Sequence, residues 1–439
     1  MAKKDGEIWR ERPGVDGREL TDEGRQSTYA LGRRLRHLYV DQLGFMPKIR
    51  SNTDDMYLRT TPIPRALESL QQTFWGMYPP DSRTANFPPP TIVARSPADE
   101  TLFPNESNCH RFRQLARLFA QRAANKWNET EEMEYLNSLW SKWMPSNSPR
   151  VAVDSRPRLS GIMDTINSTL AHGPGTRLPA EFYDPKAREI SAKIATDEWF
   201  AGYSESREYR KLGIGALIGD VVDRMVHASV DGGWRPTTNA TGDAANGVVK
   251  FALHGCHDTT IAAILSSLGA FDGGKWPPYT SSVAVELFKA TDGPHATRPG
   301  DILEELNVPE PESSPPTGKS ASSSSSSSSL MSKLFGSKPS SSTAAEFPQP
   351  SKIARSAASA LPTPSLQNYY VRIRYNDQPV RIPGCAAKPR NHLPGNDTFC
   401  TLEAFKEIAD KFTPRNWHRE CGENLDEGMF AEGDDPAGF

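Results

Sequence analysis

The 439-residue chain has no apolar run near the roughly 18 to 20 residues that cross a bilayer, so no transmembrane segment is expected. Its opening residues, MAKKDGEIWRERPGVDGRE, contain no apolar h-region, and no signal peptide is visible. An excess of one charge is also lacking. Lys and Arg number 51 against 54 Asp and Glu, and the net charge of −3 gives no basic field for nucleic acid or an anionic membrane. Cysteine is scarce, and the spacing of the five residues Cys109, Cys256, Cys385, Cys400 and Cys421 fits no zinc site. Cys109 and Cys256 read as reduced or buried thiols. Cys385, Cys400 and Cys421 gather near the C-terminus, where a disulfide between two of them is open, subject to their Cα separation. Apolar residues make up only 36% of the chain, and much of that deficit lies in one polar tract. The expectation is a soluble protein without metal or cofactor, its compartment and oligomeric state unassigned.

What is present begins with a helix starting at Thr21 or Asp22, where a hydroxyl can cap free N–H groups and acidic residues suit the positive dipole end. Leu31, Leu35, Leu38 and Tyr39 form its apolar stripe, while Arg33, Arg34 and Arg36 read as a solvated face. A short strand, Met56 to Arg59, turns through TTPIP into a helix from Pro64 to Met77 whose inward face is Leu67, Leu70, Phe74 and Met77. Residues 78–246 are rich in helical pattern. They include Lys126 to Met144 and Tyr203 to Val230, and are expected to form an inserted, mainly helical cap that shapes substrate choice. The segment from Val248 to Phe271 then reads as strand, loop and helix, stopping at Gly269. Ser282 to Phe288 and Tyr369 to Tyr375 alternate like hairpin partners. Between them, 309–367 carries a serine run from Ser322 to Ser329. This composition cannot bury enough apolar surface to offset ordering, so a disordered insert is expected. TFCTLEAFKEIADKF reads as a closing helix. The α/β core is thus expected in 1–77 and 247–439.

Three residues stand where such a core does chemistry. In open α/β sheets, ligands bind beyond the carboxyl ends of strands, where helix N-termini favour anions. Arg65 lies in the first turn after a strand, an unfavourable place for a cation unless an anion joins it, and guanidinium fits phosphate oxygens in pairs. The alternative is a solvent-exposed arginine. His257 and Asp258 stand at the second strand–helix join. Asp258 could be an N-cap and His257 a satisfied core group. Together, Arg65 and His257 could hold phosphate oxygens while Asp258 protonates a departing alkoxide, which suits acidic pH.

At this point the chain resembles a known family. MYLRTTPIPRALESLQQTF and ALHGCHDTTIAAILSSLGAFDGGKWPPY are similar to histidine acid phosphatases, in branch 2 of the histidine phosphatase superfamily. GRELTDEGRQSTYALGRRLRHLYVDQLGF resembles the helix after their catalytic strand. GAFDGGKWPPY and IPGCAAKP…FCTLEAF resemble the lysophosphatidic acid phosphatase type. The resemblance implies a phosphoglycerate-mutase-like sheet flanked by helices, and two-step hydrolysis of a small-molecule or lipid phosphate monoester through a phosphohistidine. It makes Arg65 the phosphate clamp, His257 the second phosphate-binding histidine and Asp258 the proton donor. Arg59 ends the strand in the same match and is read here as structural. A mutase of the same superfamily fits the KWPPY and IPGC segments less well.

One part of the pattern is absent. The nucleophile of the family lies in an Arg-His-Gly-x-Arg segment ending a central strand, and no such segment occurs. His172-Gly173 and His254-Gly255 lack the preceding arginine. The expectation is an incomplete gene model missing its central first strand, with upstream sequence encoding it, and a chain that is inactive or nearly so as it stands. The competing expectation is a non-catalytic phospho-ligand-binding or regulatory pseudophosphatase.

Overall fold

The computed structural model describes residues 20–230, 232–235, 248–271, 275–290, 366, 368–430 and 436–439. Helix α1 (Asp22–Arg36) starts as expected, with the Thr21 hydroxyl accepting from the Gly24 N–H at 3.1 Å. Its stripe is buried, and Leu38 and Tyr39 continue it in a π-helical turn, His37–Gln42. Strand β1 (Met56–Thr60) leads into α2 (Pro64–Met77), whose Leu70, Phe74 and Met77 point inward. Leu67 does not belong to that face. It is 36% exposed, because Ala66, Thr73 and Gly76 occupy the inward positions. Small residues are required there by close helix contact: a Cβ on Gly32 would lie 2.0 Å from the Thr73 carbonyl, and one on Gly76 would lie 2.1 Å from that of Tyr29.

Strand β2 (Ile92–Ala94) pairs parallel with β1, which pairs parallel on its other side with β3 (Phe251–Gly255). Residues 78–246 are therefore not wholly cap, since they give the sheet a strand. The longer helices among the described residues of this segment are α3 (His110–Trp127), α4 (Glu131–Trp140), α5 (Leu159–His172), α6 (Pro185–Glu205) and α7 (Ala216–Val230). They divide between two cores. Residues from Ala123 to Ile194 enclose their own cluster around Trp140, Ile162 and Phe182. Phe200, Tyr203 and the apolar side of α7 join the core under the sheets.

Two predicted helices are broken. Lys126 to Met144 is interrupted before α4, where Thr130 caps a new start by accepting from the Met133 N–H at 3.3 Å. Tyr203 to Val230 breaks at Ser206, whose hydroxyl accepts from the Tyr209 N–H at 3.2 Å. It bulges again at Lys211–Gly215, where a Cβ on Gly215 would sit 2.0 Å from the Phe412 carbonyl. Local hydroxyl caps outcompete helix continuation here.

After β3 comes α8 (Asp258–Ser267), which stops ahead of Gly269 at φ +65° as predicted. The pairing of β4 (Val283–Lys289) with β5 (Tyr369–Tyr375) is antiparallel. With β6 (Gln378–Val380), β7 (His392–Leu393) and β8 (Asn396–Thr401) they form a second sheet, ordered β4-β5-β8-β7 with β6 beside β5. TFCT belongs to β8, and α9 (Leu402–Asp410) begins only after Thr401 caps it. Of the expected insert 309–367, only Leu366 lies inside the described residues, and residues 1–19 lie outside them.

Tyr39 ties the two sheets together. Its hydroxyl donates to Glu286 of β4 at 2.6 Å, and its ring meets that of Phe251 of β3 edge-on at 5.3 Å. Arg372 Nε of β5 donates to the same Glu286 carboxylate at 2.8 Å. Among the described residues no strand pairs with the outer edge of β3 or of β4, and Ala252 in mid-β3 is exposed. The described strands thus form two sheets rather than one continuous sheet.

Cys385 and Cys400 are disulfide-bonded with Cα atoms 5.3 Å apart, one of the pairings left open by the sequence. Cys109 is not a reduced thiol. It is bonded to Cys421, 312 positions away and 4.7 Å distant between Cα atoms. Such a separation leaves no trace in local spacing. Cys256 is free. Among the described residues no helix is long and apolar enough to cross a membrane.

The helix contact makes a graded prediction. Gly32→Ala forces a methyl group into the Thr73 carbonyl and should cost about 3 kcal/mol or more. Gly161→Ala in α5 meets nothing within 4 Å and should stabilise by about 0.5–1 kcal/mol. Urea midpoints of the two variants compare them directly, and equal midpoints would contradict the packing.

Candidate active site

Parallel pairing of β1 and β3 sets Thr60 opposite Gly255, so the turns that follow run side by side. The Thr61 N–H donates to the Gly255 carbonyl at 3.2 Å, extending the contact one residue beyond the strands. Gly255 is needed for the next approach: a Cβ there would lie 2.5 Å from the Ala66 carbonyl, in the first turn of α2. Arg65, beside Ala66, is thereby brought toward His257 and Asp258 at the start of α8. Arg65, His257, Asp258 and Thr259 line one cavity of about 280 Å³.

His257 is held from several directions. Its Nε2 lies 3.0 Å from Thr61 Oγ1, one hydrogen bond whose direction the tautomer sets. Its backbone N–H donates to Thr260 Oγ1 at 3.4 Å, and the Thr260 hydroxyl donates to the Leu102 carbonyl at 2.5 Å. Phe103 meets the imidazole edge-on at 6.1 Å. Burial first, and the Arg65 charge second, lower His257 to about 4 against the pull of Asp258. The ring is therefore neutral near pH 7. Asp258 is fixed at both oxygens: the Thr259 N–H donates to Oδ1 at 2.8 Å and the Trp276 indole to Oδ2 at 2.6 Å.

Arg65 is exposed at the cavity and has no ion pair among the described residues. Arg59, read as structural, is completely buried. Its Nη2 donates to Glu100 at 2.5 Å, and the same carboxylate oxygen accepts from the N–H groups of Thr101 and Leu102 at 2.8 and 2.7 Å. Arg59 thus shapes the loop that carries Phe103 and does not reach the cavity lining. The far wall is aromatic, with Phe112, Trp199, Phe200, Tyr203 and Tyr209. Buried there, the Tyr203 hydroxyl and the Trp199 indole N–H lack hydrogen-bond partners among the described residues.

All three sequence-predicted site residues therefore come together. Three contributors escaped sequence reasoning: Thr61, Phe103 and Trp276. Thr61 and Trp276 lie inside the segments TTPIP and KWPPY, and the tryptophan beside two prolines was the available signal. Among the described residues, no group of three or more His, Cys, Asp or Glu side chains could hold a metal.

Residues 11–298 match the histidine phosphatase superfamily (branch 2). The chain belongs to that superfamily. It is 35% identical over 403 residues to a protein described as a probable acid phosphatase of Schizosaccharomyces pombe, covering 92% of this chain and 76% of that one. It is 26% identical over 280 residues to human lysophosphatidic acid phosphatase type 6, covering 63% of this chain but only 58% of that protein. Its fold is similar to that of a Hafnia alvei phytase solved with tartrate, at a TM-score of 0.52 and 12% identity, with 94% of this chain and 91% of that chain covered.

For this superfamily member, proton linkage at His257 is measurable. A bound dianion favours the charged imidazole, so binding between about pH 4 and 7 should take up a proton. Calorimetric titration with inorganic sulfate in two buffers of different ionisation enthalpy should show that uptake, and His257→Asn should abolish it. Buffer-independent heats in the unaltered chain would refute the assignment. Gly255→Ala should weaken sulfate binding about tenfold or more by pushing the α2 turn away from His257.

Proposed function

We propose that this protein hydrolyses phosphate monoesters by acid phosphatase chemistry. The observation that carries the reading is the convergence of Arg65, His257 and Asp258 on one cavity beyond the carboxyl ends of two parallel strands. Arg65, the His257 imidazole and the α8 N-terminus would hold the phosphoryl oxygens. A histidine of an Arg-His-Gly-x-Arg segment would attack phosphorus, and Asp258 would give its proton to the departing alkoxide. Water would then cleave the phosphohistidine and release inorganic phosphate.

These 439 residues contain no such segment. A covalent route without its nucleophile has no first step, so this chain alone should bind phosphate and not turn over. The unpaired edges of β3 and β4 support a strand seated between them as the carrier. The lack of the segment also supports a second reading, a pseudophosphatase that holds a phosphorylated ligand and does no chemistry. A lipid or other apolar monoester as substrate is supported by the aromatic wall and by the likeness to human lysophosphatidic acid phosphatase type 6.

Hydrolysis of an aryl phosphate at about pH 5 separates the readings. The 439-residue chain should stay near background. The same chain extended at its N-terminus by a strand ending in Arg-His-Gly-x-Arg should turn over, and Asp258→Asn in the extended form should lower kcat by roughly 10²–10⁴. Strong turnover by the unextended chain would overturn the missing-nucleophile argument. An extended chain that binds phosphate but is inert would favour the pseudophosphatase.

A further inference from the structure

Among the described residues, the cavity is lined by three charged side chains, Arg65, Asp258 and Glu106. The first two have places in the proposed chemistry, and Glu106 has none. Burial first, and the Glu106 charge next, push the Tyr209 hydroxyl up, whereas the charged groups acting on His257 are Arg65 and Asp258. Glu106 therefore belongs with the aromatic wall, apart from the phosphate clamp.

The backbone that carries Glu106 is tightly held. Arg113 Nε donates to the Glu106 carbonyl at 3.1 Å. The buried amide of the preceding Asn105 donates to the Pro97 and Glu100 carbonyls at 2.8 and 3.2 Å. Three positions on, Cys109 is bonded to Cys421. The Glu106 carboxylate, by contrast, is half-buried and makes no hydrogen bond or ion pair among the described residues. Arginines stand near, yet none takes it: Arg113 is engaged with backbone carbonyls, Arg158 pairs with Glu198, and Arg117 is exposed. Burial raises the Glu106 carboxyl, while the charges of Arg158, Arg113 and Arg117 hold it down.

An unpaired carboxylate on a fixed loop inside a mostly aromatic cavity is an acceptor set for a donor that the ligand brings. A second anion there would be repelled. An ammonium would meet the field of the three arginines. A hydroxyl group answers the carboxylate without adding charge, and the aromatic side chains can cover an apolar body around it. We propose that Glu106 is a specificity-determining residue that selects phosphate monoesters of apolar alcohols bearing a second, free hydroxyl group. This rests on the reading of Arg65 and His257 as a phosphate clamp, and arginines of a completing segment would serve that same phosphoryl end. It goes further in naming the class of alcohol and the side chain that reads it.

Calorimetric titration of the 439-residue chain at about pH 7 tests this, with inorganic phosphate, hexyl phosphate and its 2-, 3- and 4-hydroxy derivatives as probes. At least one hydroxy derivative should bind about tenfold tighter than hexyl phosphate, the gain expected of one hydrogen bond to a carboxylate. Glu106→Leu should reduce that preference to within about twofold, while Glu106→Gln, which keeps an acceptor oxygen, should retain about threefold. Inorganic phosphate should bind both variants as it binds the unaltered chain, which shows that the site is folded. If the leucine variant loses phosphate as well, Glu106→Gln decides alone, and an undiminished preference there overturns the role. A preference that survives Glu106→Leu, or no preference for any hydroxy derivative, overturns the selection and leaves the function standing. Tighter binding of 3-aminohexyl phosphate than of its 3-hydroxy counterpart overturns the hydroxyl class. Failure of inorganic phosphate to bind the unaltered chain, or binding indifferent to Arg65→Ala, overturns the clamp and the selection with it.

Discussion

The site depends on an absent methyl group. Parallel strands can bring two turns level, but level turns still stand a side chain apart. At Gly255 nothing intervenes, and the β3 backbone rests against the Ala66 carbonyl. That contact converts strand register into proximity of Arg65 to His257. The same logic recurs where α1 meets α2 at Gly32 and Gly76, and where the turn before α7 meets Phe412 at Gly215. Backbone-to-backbone contacts of this kind leave little room to drift, which is what a site needing sub-ångström placement requires.

Around that contact the sequence was readable wherever the causes are local. The Thr21 cap, the α1 stripe, the Pro64 helix start and the Gly269 stop all lie within a few residues of their effects. Arg65, His257 and Asp258 were found for the same reason, because a polar group at a strand–helix join is a local pattern. The misses have distant causes. Leu67 was assigned inward because nothing in α2 says that a glycine-lined helix will press against it. The helices from Lys126 and Tyr203 looked continuous until Thr130 and Ser206 offered caps, and β2 was too short to stand out from its surroundings. Cys109 found its partner 312 residues away.

Tyr39 shows how the parts cohere without a continuous sheet. Its ring and hydroxyl span from Phe251 to Glu286, and Glu286 also accepts from Arg372. A buried carboxylate with two arginines, Arg372 and Arg374, and a phenol around it is costly to leave half-paired, so the network fixes how β4 sits against the turn that follows the first helix. On either side of this bridge, β3 and β4 each keep one edge without a strand partner among the described residues.

The bond between Cys109 and Cys421 has a reach beyond stability. Cys109 closes the loop that holds Phe103 and Glu106 and opens α3, and the Arg111 N–H donates to the Cys421 carbonyl at 2.9 Å. The aromatic wall is therefore moored to the far end of the chain by a covalent link that thiols can cut. The geometry of the wall becomes a property of the surroundings as well as of the fold: an oxidising medium keeps the anchor, and a reducing one removes it.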